Sequence, residues 1–67
     1  MHLRFYKNDL VMVINHPKLQ GLGKVTEASD EIALVWVYLY ADNNEEFIHI
    51  DFLKHATEDE IRAASKS

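Results

Sequence analysis

Four histidines, His2, His16, His49 and His55, are the side chains in this 67-residue sequence most suited to metal binding or proton transfer. Asp51 stands between the last two, and on a strand the spacing His49-x-Asp51 puts two metal-ligating groups on one face. No third ligand follows at a fixed offset, so the histidines read as solvated side chains and no metal site is expected. A serine, a histidine and an aspartate can be found in any chain of this size. Here no Gly-x-Ser-x-Gly elbow and no metalloprotease helix motif is present to position them. Gly21-Leu22-Gly23-Lys24 resembles part of a phosphate-cradling loop, but a third glycine is missing and strand-like residues follow where a helix N-terminus would hold phosphate. Turn chemistry explains it better. The sequence therefore points to no catalytic residue and no cofactor, and reads as a non-enzyme.

The remaining chemistry is that of recognition. Trp36, Tyr38 and Tyr40 alternate along one apolar segment, and an antiparallel neighbour brings Phe47 and His49 beside them. If Val35, Val37, Leu39, Ile48 and Ile50 face the core, the aromatics form an outward band of the kind that protein-binding surfaces use. The competing expectation is that a C-terminal helix, or the segment Leu3-Arg4-Phe5-Tyr6, covers the band and makes it a second core. A homodimer built on the same face is a third.

Charge narrows the partner. The net charge is −4, from 7 Lys and Arg against 11 Asp and Glu, so general attraction to phosphate backbones or anionic lipids is weak. Arg4, Lys7, Lys18 and Lys24 all fall in the first 24 residues and leave a local basic patch open as a nucleic-acid contact. Cysteine is absent, which excludes disulfides, zinc-thiolate sites and thiol nucleophiles and fits a reducing cytoplasm. The longest apolar run, Ile32 to Ala41, is about half of the roughly 20 residues that a membrane-spanning helix needs, and the N-terminal residues do not read as a signal peptide.

The elements that would hold these groups are short. Asp9 to Ile14 is β-rich and stops at Asn15-His16-Pro17; Gly21 and Gly23 open a second strand to about Thr26, supplying positive φ or a close backbone approach. Ala28 to Glu31 reads as a polar turn, Ile32 to Tyr40 as a third strand, Asp42 to Glu45 as a turn in which asparagine adopts the left-handed conformation, and Glu46 to Ile50 as a fourth strand. Thr57-Glu58-Asp59-Glu60 is a capping box that starts a short helix over 58–64, with three acids at the positive end of its dipole and fraying expected after Ser65. The chain is one domain, residues 1–67, with no repeat and no linker.

Both glycines and the only proline lie within seven residues, 17 to 23, as a sheet that curves back on itself through one sharply bent connection would require. Asp9-x-Val11-x-Val13, then Gly21-Leu22-Gly23-Lys24-Val25, a long hairpin and Asp51-Phe52-Leu53-Lys54-His55-Ala56-Thr57 together resemble the SH3-like small barrels of KOW and Tudor-like type, over residues 8–57. That resemblance implies a mainly β, five-stranded barrel, here with a short C-terminal helix added. Its KOW members usually carry a basic surface where this chain is acidic. The expected function is a small binding module that engages a protein partner through Trp36, Tyr38, Tyr40, Phe47 and His49, with His16, Lys18 and Gln20 of the bent connection at the rim. The alternatives are a nucleic-acid-associated module and a small phage-type regulator of a larger enzyme.

Overall fold

The computed structural model describes residues 4–28 and 32–64. The protein is mainly β: β1 (Leu10–Val13), β2 (Gly21–Glu27), β3 (Leu34–Leu39), β4 (Asn44–His49), a 3-10 turn (Ile50–Phe52), β5 (Leu53–His55) and one short helix, α1 (Glu58–Ala64). The five strands form a single antiparallel sheet in the order β4-β3-β2-β1-β5. The expected closure into a barrel does not occur. Among the described residues β4 pairs only with β3 and β5 only with β1, so the sheet curves but keeps two edges. The 3-10 turn bridges these ends through backbone bonds from Ile50 N–H to Ala33 and from Ile14 N–H to Phe52.

Period-two alternation sets the core. Val11, Val13, Val25, Val35, Val37, Leu39, Ile48 and Leu53 project from one face of the sheet and are buried. Leu19 of the bent connection and Ile50 and Phe52 of the 3-10 turn pack against them, so these two irregular segments fill the concave side. Phe5 joins the same core, tilted by 35° against the His55 ring at 4.6 Å, instead of covering the aromatic band; Leu3 of that N-terminal segment lies outside the described residues. The N-terminal chain is held there by Asn8 N–H to Val25, Val25 N–H to Asp9, and the Asp9 carboxylate accepting the Tyr6 N–H.

The turns use asparagine where the chain must enter the left-handed region: Asn8, Asn15 and Asn43 have φ of 78°, 57° and 50°. The turn between β3 and β4 occupies residues 40–43, so β4 starts two residues earlier than the apolar pattern suggests, because cross-strand pairing of Leu39 with Asn44 overrides the poor strand propensity of asparagine. Ser29, Asp30 and Glu31 of the expected polar turn, and Ser65, lie outside the described residues.

The helix begins as the capping box requires. The Thr57 hydroxyl accepts the Glu60 N–H at 3.2 Å and the Glu60 carboxylate accepts the Thr57 N–H at 2.9 Å. Lys54 of β5 donates to the same carboxylate at 2.9 Å, tying the helix start to the sheet. The Lys54 bond first, and then the Thr57 N–H, hold the Glu60 carboxyl below the ordinary glutamate range. Because the folded value is the lower one, this contribution is complete above the ordinary glutamate pKa, about 4.3, and is lost as pH falls through the folded value. In acid denaturation followed by circular dichroism, Glu60→Gln should therefore be less stable than the wild type at neutral pH and show a flatter loss of stability below about pH 4.3. Parallel curves for the two proteins would show that the cap does not couple helix to sheet.

Candidate functional site: an open aromatic face

The convex face of the sheet divides into two parts. Helix α1 lies over the β1–β2 part, where Leu10, Met12 and Leu22 line an open groove together with Ile61, Ala64 and Tyr40. It does not reach the β3–β4 part. Trp36 and Phe47 remain 41% and 45% exposed, and Tyr40, at the boundary, 45%. Trp36 and Phe47 are neither second core nor covered by the helix, whereas Tyr38 is half-buried and Tyr40 borders the groove beside α1.

Strand pairing assembles this face. Trp36 lies opposite Phe47, Tyr38 opposite Glu45 and Leu34 opposite His49. The Ile50 N–H bond to Ala33 fixes the alternation: 50/33, 48/35, 46/37 and 44/39 are the hydrogen-bonded pairs, and Trp36/Phe47 is a non-hydrogen-bonded pair, the kind whose side chains approach more closely. The two rings accordingly stack at 4.7 Å with an interplanar angle of 22°. Tyr38 and Tyr40 meet edge to face at 5.6 Å, and the Tyr38 hydroxyl donates to the Asn43 side chain at 3.0 Å, fixing its ring.

A bulge in β2 brings polar groups to the same face. Register shifts between Val25 and Glu27, and Glu27 becomes the residue opposite Trp36. The hydroxyl of the intervening Thr26 lies within reach of the Trp36 carbonyl at 3.3 Å and of the Glu45 carboxylate. Lys24 stands opposite Tyr38 on β2. Exposed aromatics are thus bordered by Glu27 and Glu45 on two sides and by one lysine. The bulge and the Thr26–Glu45 bond left no signal in the sequence, because both depend on a one-residue shift between strands distant in the chain.

The other residues singled out by sequence lie elsewhere. His49 shares the face by strand parity, but its Nδ1 accepts the Asp51 N–H at 3.0 Å and caps the 3-10 turn. Asp51 belongs to that turn and not to the strand, but the turn still brings its carboxylate within 3.5 Å of His49 Nδ1, so the two expected partners meet without sharing a strand face. Among the described residues, no three His, Asp or Glu side chains converge on a point where a metal ion could sit. His2 lies outside the described residues, while His55 is taken up by Phe5 and lies 3.5 Å from Asp9.

His16 accepts the N–H groups of Lys18 and Leu19 and packs edge-on against Phe52 at 5.0 Å, so it shapes the bent connection from within. That connection, with exposed Lys18 and Gln20, enters β2 at Gly21, the opposite end of the seven-residue strand from Glu27. The two ends are separated by about 20 Å of strand. The rim residues therefore sit at the Tyr40 end of the face and not beside Trp36. Of the cations, Arg4 and Lys7 belong to the N-terminal chain, whose Asn8 N–H binds Val25 beside Lys24 of mid-β2, while Lys18 belongs to the bent connection.

No family of proteins, no curated protein and no solved structure matches this chain. Among the described residues, no helix is long and apolar enough to cross a membrane.

Proposed function

We propose that the protein is a small, non-enzymatic binding module that engages a protein partner through the face formed by Trp36, Phe47, Tyr38 and Tyr40. The observation that carries this reading is the stacked, two-fifths-exposed Trp36–Phe47 pair. A protein of this size has little apolar area to spare, and two large rings left on the surface of the sheet forgo burial worth about 1.5 kcal/mol or more each. Five antiparallel strands, a long bent β1–β2 connection and a curved sheet support the resemblance to SH3-like modules. Glu27 and Glu45 beside the rings favour a protein over a phosphate backbone.

The test places a photo-cross-linking amino acid at Trp36 or Phe47, and at Lys18 as a control, in cells that express the protein. The expected result is one discrete protein adduct from the two aromatic positions, absent from position 18 and lost when the other aromatic is changed to alanine. With the purified partner, Trp36→Ala should weaken binding by about 30-fold, the effect of a loss of about 2 kcal/mol at a hot spot. Because the ring is more than half-buried and stacked on Phe47, the unfolding midpoint should also fall by several degrees, about 4 to 8 °C for a loss of about 1 kcal/mol, so binding is compared well below it. Adducts to nucleic acid would transfer the assignment to the nucleic-acid reading. Adducts only to a second copy of the chain would identify a homodimer face.

A further inference from the structure

The aromatic face runs directly into an unpaired strand edge. Because 44/39, 46/37 and 48/35 are the hydrogen-bonded pairs, the backbone N–H and C=O groups of Glu45, Phe47 and His49 point away from β3. No described strand receives them. Such an edge is a template for another extended chain, and proteins usually blunt it with charge. Here the charges are all of one sign: Glu45 projects on the aromatic side of the sheet and Glu46 on the other, with Asp42 just before the strand and Asp51 just after it.

We propose that the β4 edge accepts an extended, lysine- or arginine-bearing segment of the partner protein as a sixth strand of the sheet. The proposal rests on the partner-binding reading of the aromatic face and names the chemistry of what binds there. Main-chain bonds to Glu45, Phe47 and His49 supply affinity that is independent of sequence. Specificity follows from strand parity: a residue opposite Phe47 lies on the Trp36–Phe47 stack and should be apolar, and its neighbours opposite Glu46 and Glu45 should be basic. An antiparallel partner thus carries an apolar residue followed by two basic ones. A second copy pairing β4 with β4 would set like charges against each other in the registers that place Glu45 opposite Glu45 or Glu46 opposite Glu46, whereas the register with Phe47 opposite Phe47 sets Glu45 against His49; self-pairing is therefore read as a separate outcome of the test.

The experiment titrates the 15N-labelled protein at low ionic strength with the end-blocked peptide TTVKKT, and follows both the amide signals of β4 and the indole N–H of Trp36. The expected result is that Glu45, Phe47 and His49 amides shift and exchange more slowly while the indole signal moves. The charge-reversed peptide TTVEET should bind more weakly by about tenfold or more, and N-methylation of the peptide amides facing β4 should abolish binding. If the indole moves while the β4 amides gain no protection, strand addition is wrong and the aromatic-face reading stands. If TTVEET binds as well as TTVKKT, the charge selection is wrong. If nothing moves, the basic-strand proposal fails, and cross-linking at Trp36 still decides whether the face binds protein. Concentration-dependent protection of the β4 amides without peptide would overturn the proposal in favour of self-pairing.

Discussion

Gly23→Ala should destabilise the protein by about 3 kcal/mol, at the upper end of what overpacking costs. A methyl group at this position would lie 2.5 Å from Val37 Cγ1, 2.9 Å from the Tyr38 carbonyl oxygen and 3.1 Å from Leu39 Cδ2. The side chains can turn away in part, but the Tyr38 carbonyl belongs to the backbone of β3, an interior strand paired on both sides, and cannot. Gly23 lies opposite Leu39, a non-hydrogen-bonded pair since the Tyr40 N–H binds Leu22, so the two chains are also at their closest approach here. Relief requires β2 and β3 to separate, and these strands hold the middle of the sheet. A chain of this length has a total stability of roughly 3 to 10 kcal/mol, so the variant should melt at least about 12 °C lower or fail to fold. Gly21→Ala is the control. There the added carbon meets nothing within 4 Å, but φ of +105° is a conformation that residues with a side chain rarely adopt, and the expected cost is smaller, about 1 to 2 kcal/mol. Equal effects at both positions, or a neutral Gly23→Ala, would contradict the packing of β2 on β3.

The second large effect is expected at Leu39, one of the largest fully buried side chains and one that fills the space opposite Gly23. Leu39→Ala removes its transfer free energy and leaves a cavity against strands that cannot collapse without breaking their register, so the expected loss is about 3 to 4 kcal/mol in denaturant unfolding. Leu22→Ala, on the half-buried face below α1, should cost clearly less, because a side chain lining an open groove leaves no sealed cavity. The double variant of Gly23→Ala and Leu39→Ala should lose less than the sum of the singles. Shortening Leu39 removes one of the three contacts that a methyl group at position 23 would make, while Val37 and the Tyr38 carbonyl still resist it. Strict additivity would mean that the two positions do not share a packing space.

Much of this arrangement was legible in the residues. The alternation of valines with aromatics located the core and the aromatic face, since a strand offers only two faces and β-branched residues crowd one of them. The capping box gave α1 its limits at Glu58–Ala64, because its signal lies within four consecutive residues. The two glycines also read correctly as one positive φ or one close approach, although which was which had to come from the neighbours that each meets. The reading failed wherever the deciding contact was remote in sequence. His49 and Asp51 were placed on a common strand, but the chain leaves β4 at His49 to enter the 3-10 turn. Closure of the barrel was inferred from strand spacing, and spacing carries no information on whether the first and last strands come within hydrogen-bonding distance.

Local rules, then, suffice for a mainly β chain with no thiol chemistry, the first four strand segments, asparagine- and glycine-bearing turns and a capped C-terminal helix, while β5, only three residues long, shows itself through its pairing with β1. Tertiary structure decided the rest. Both faces of β3 are apolar, so periodicity could not tell which is covered; that depended on Phe5 entering the core, on α1 stopping over β1 and β2, and on the sheet remaining open at β4. The physical reason is that each of these outcomes is a choice among burial sites of similar apolar character, made by shape and register between distant strands, and neither shape nor register is written in the residue types alone.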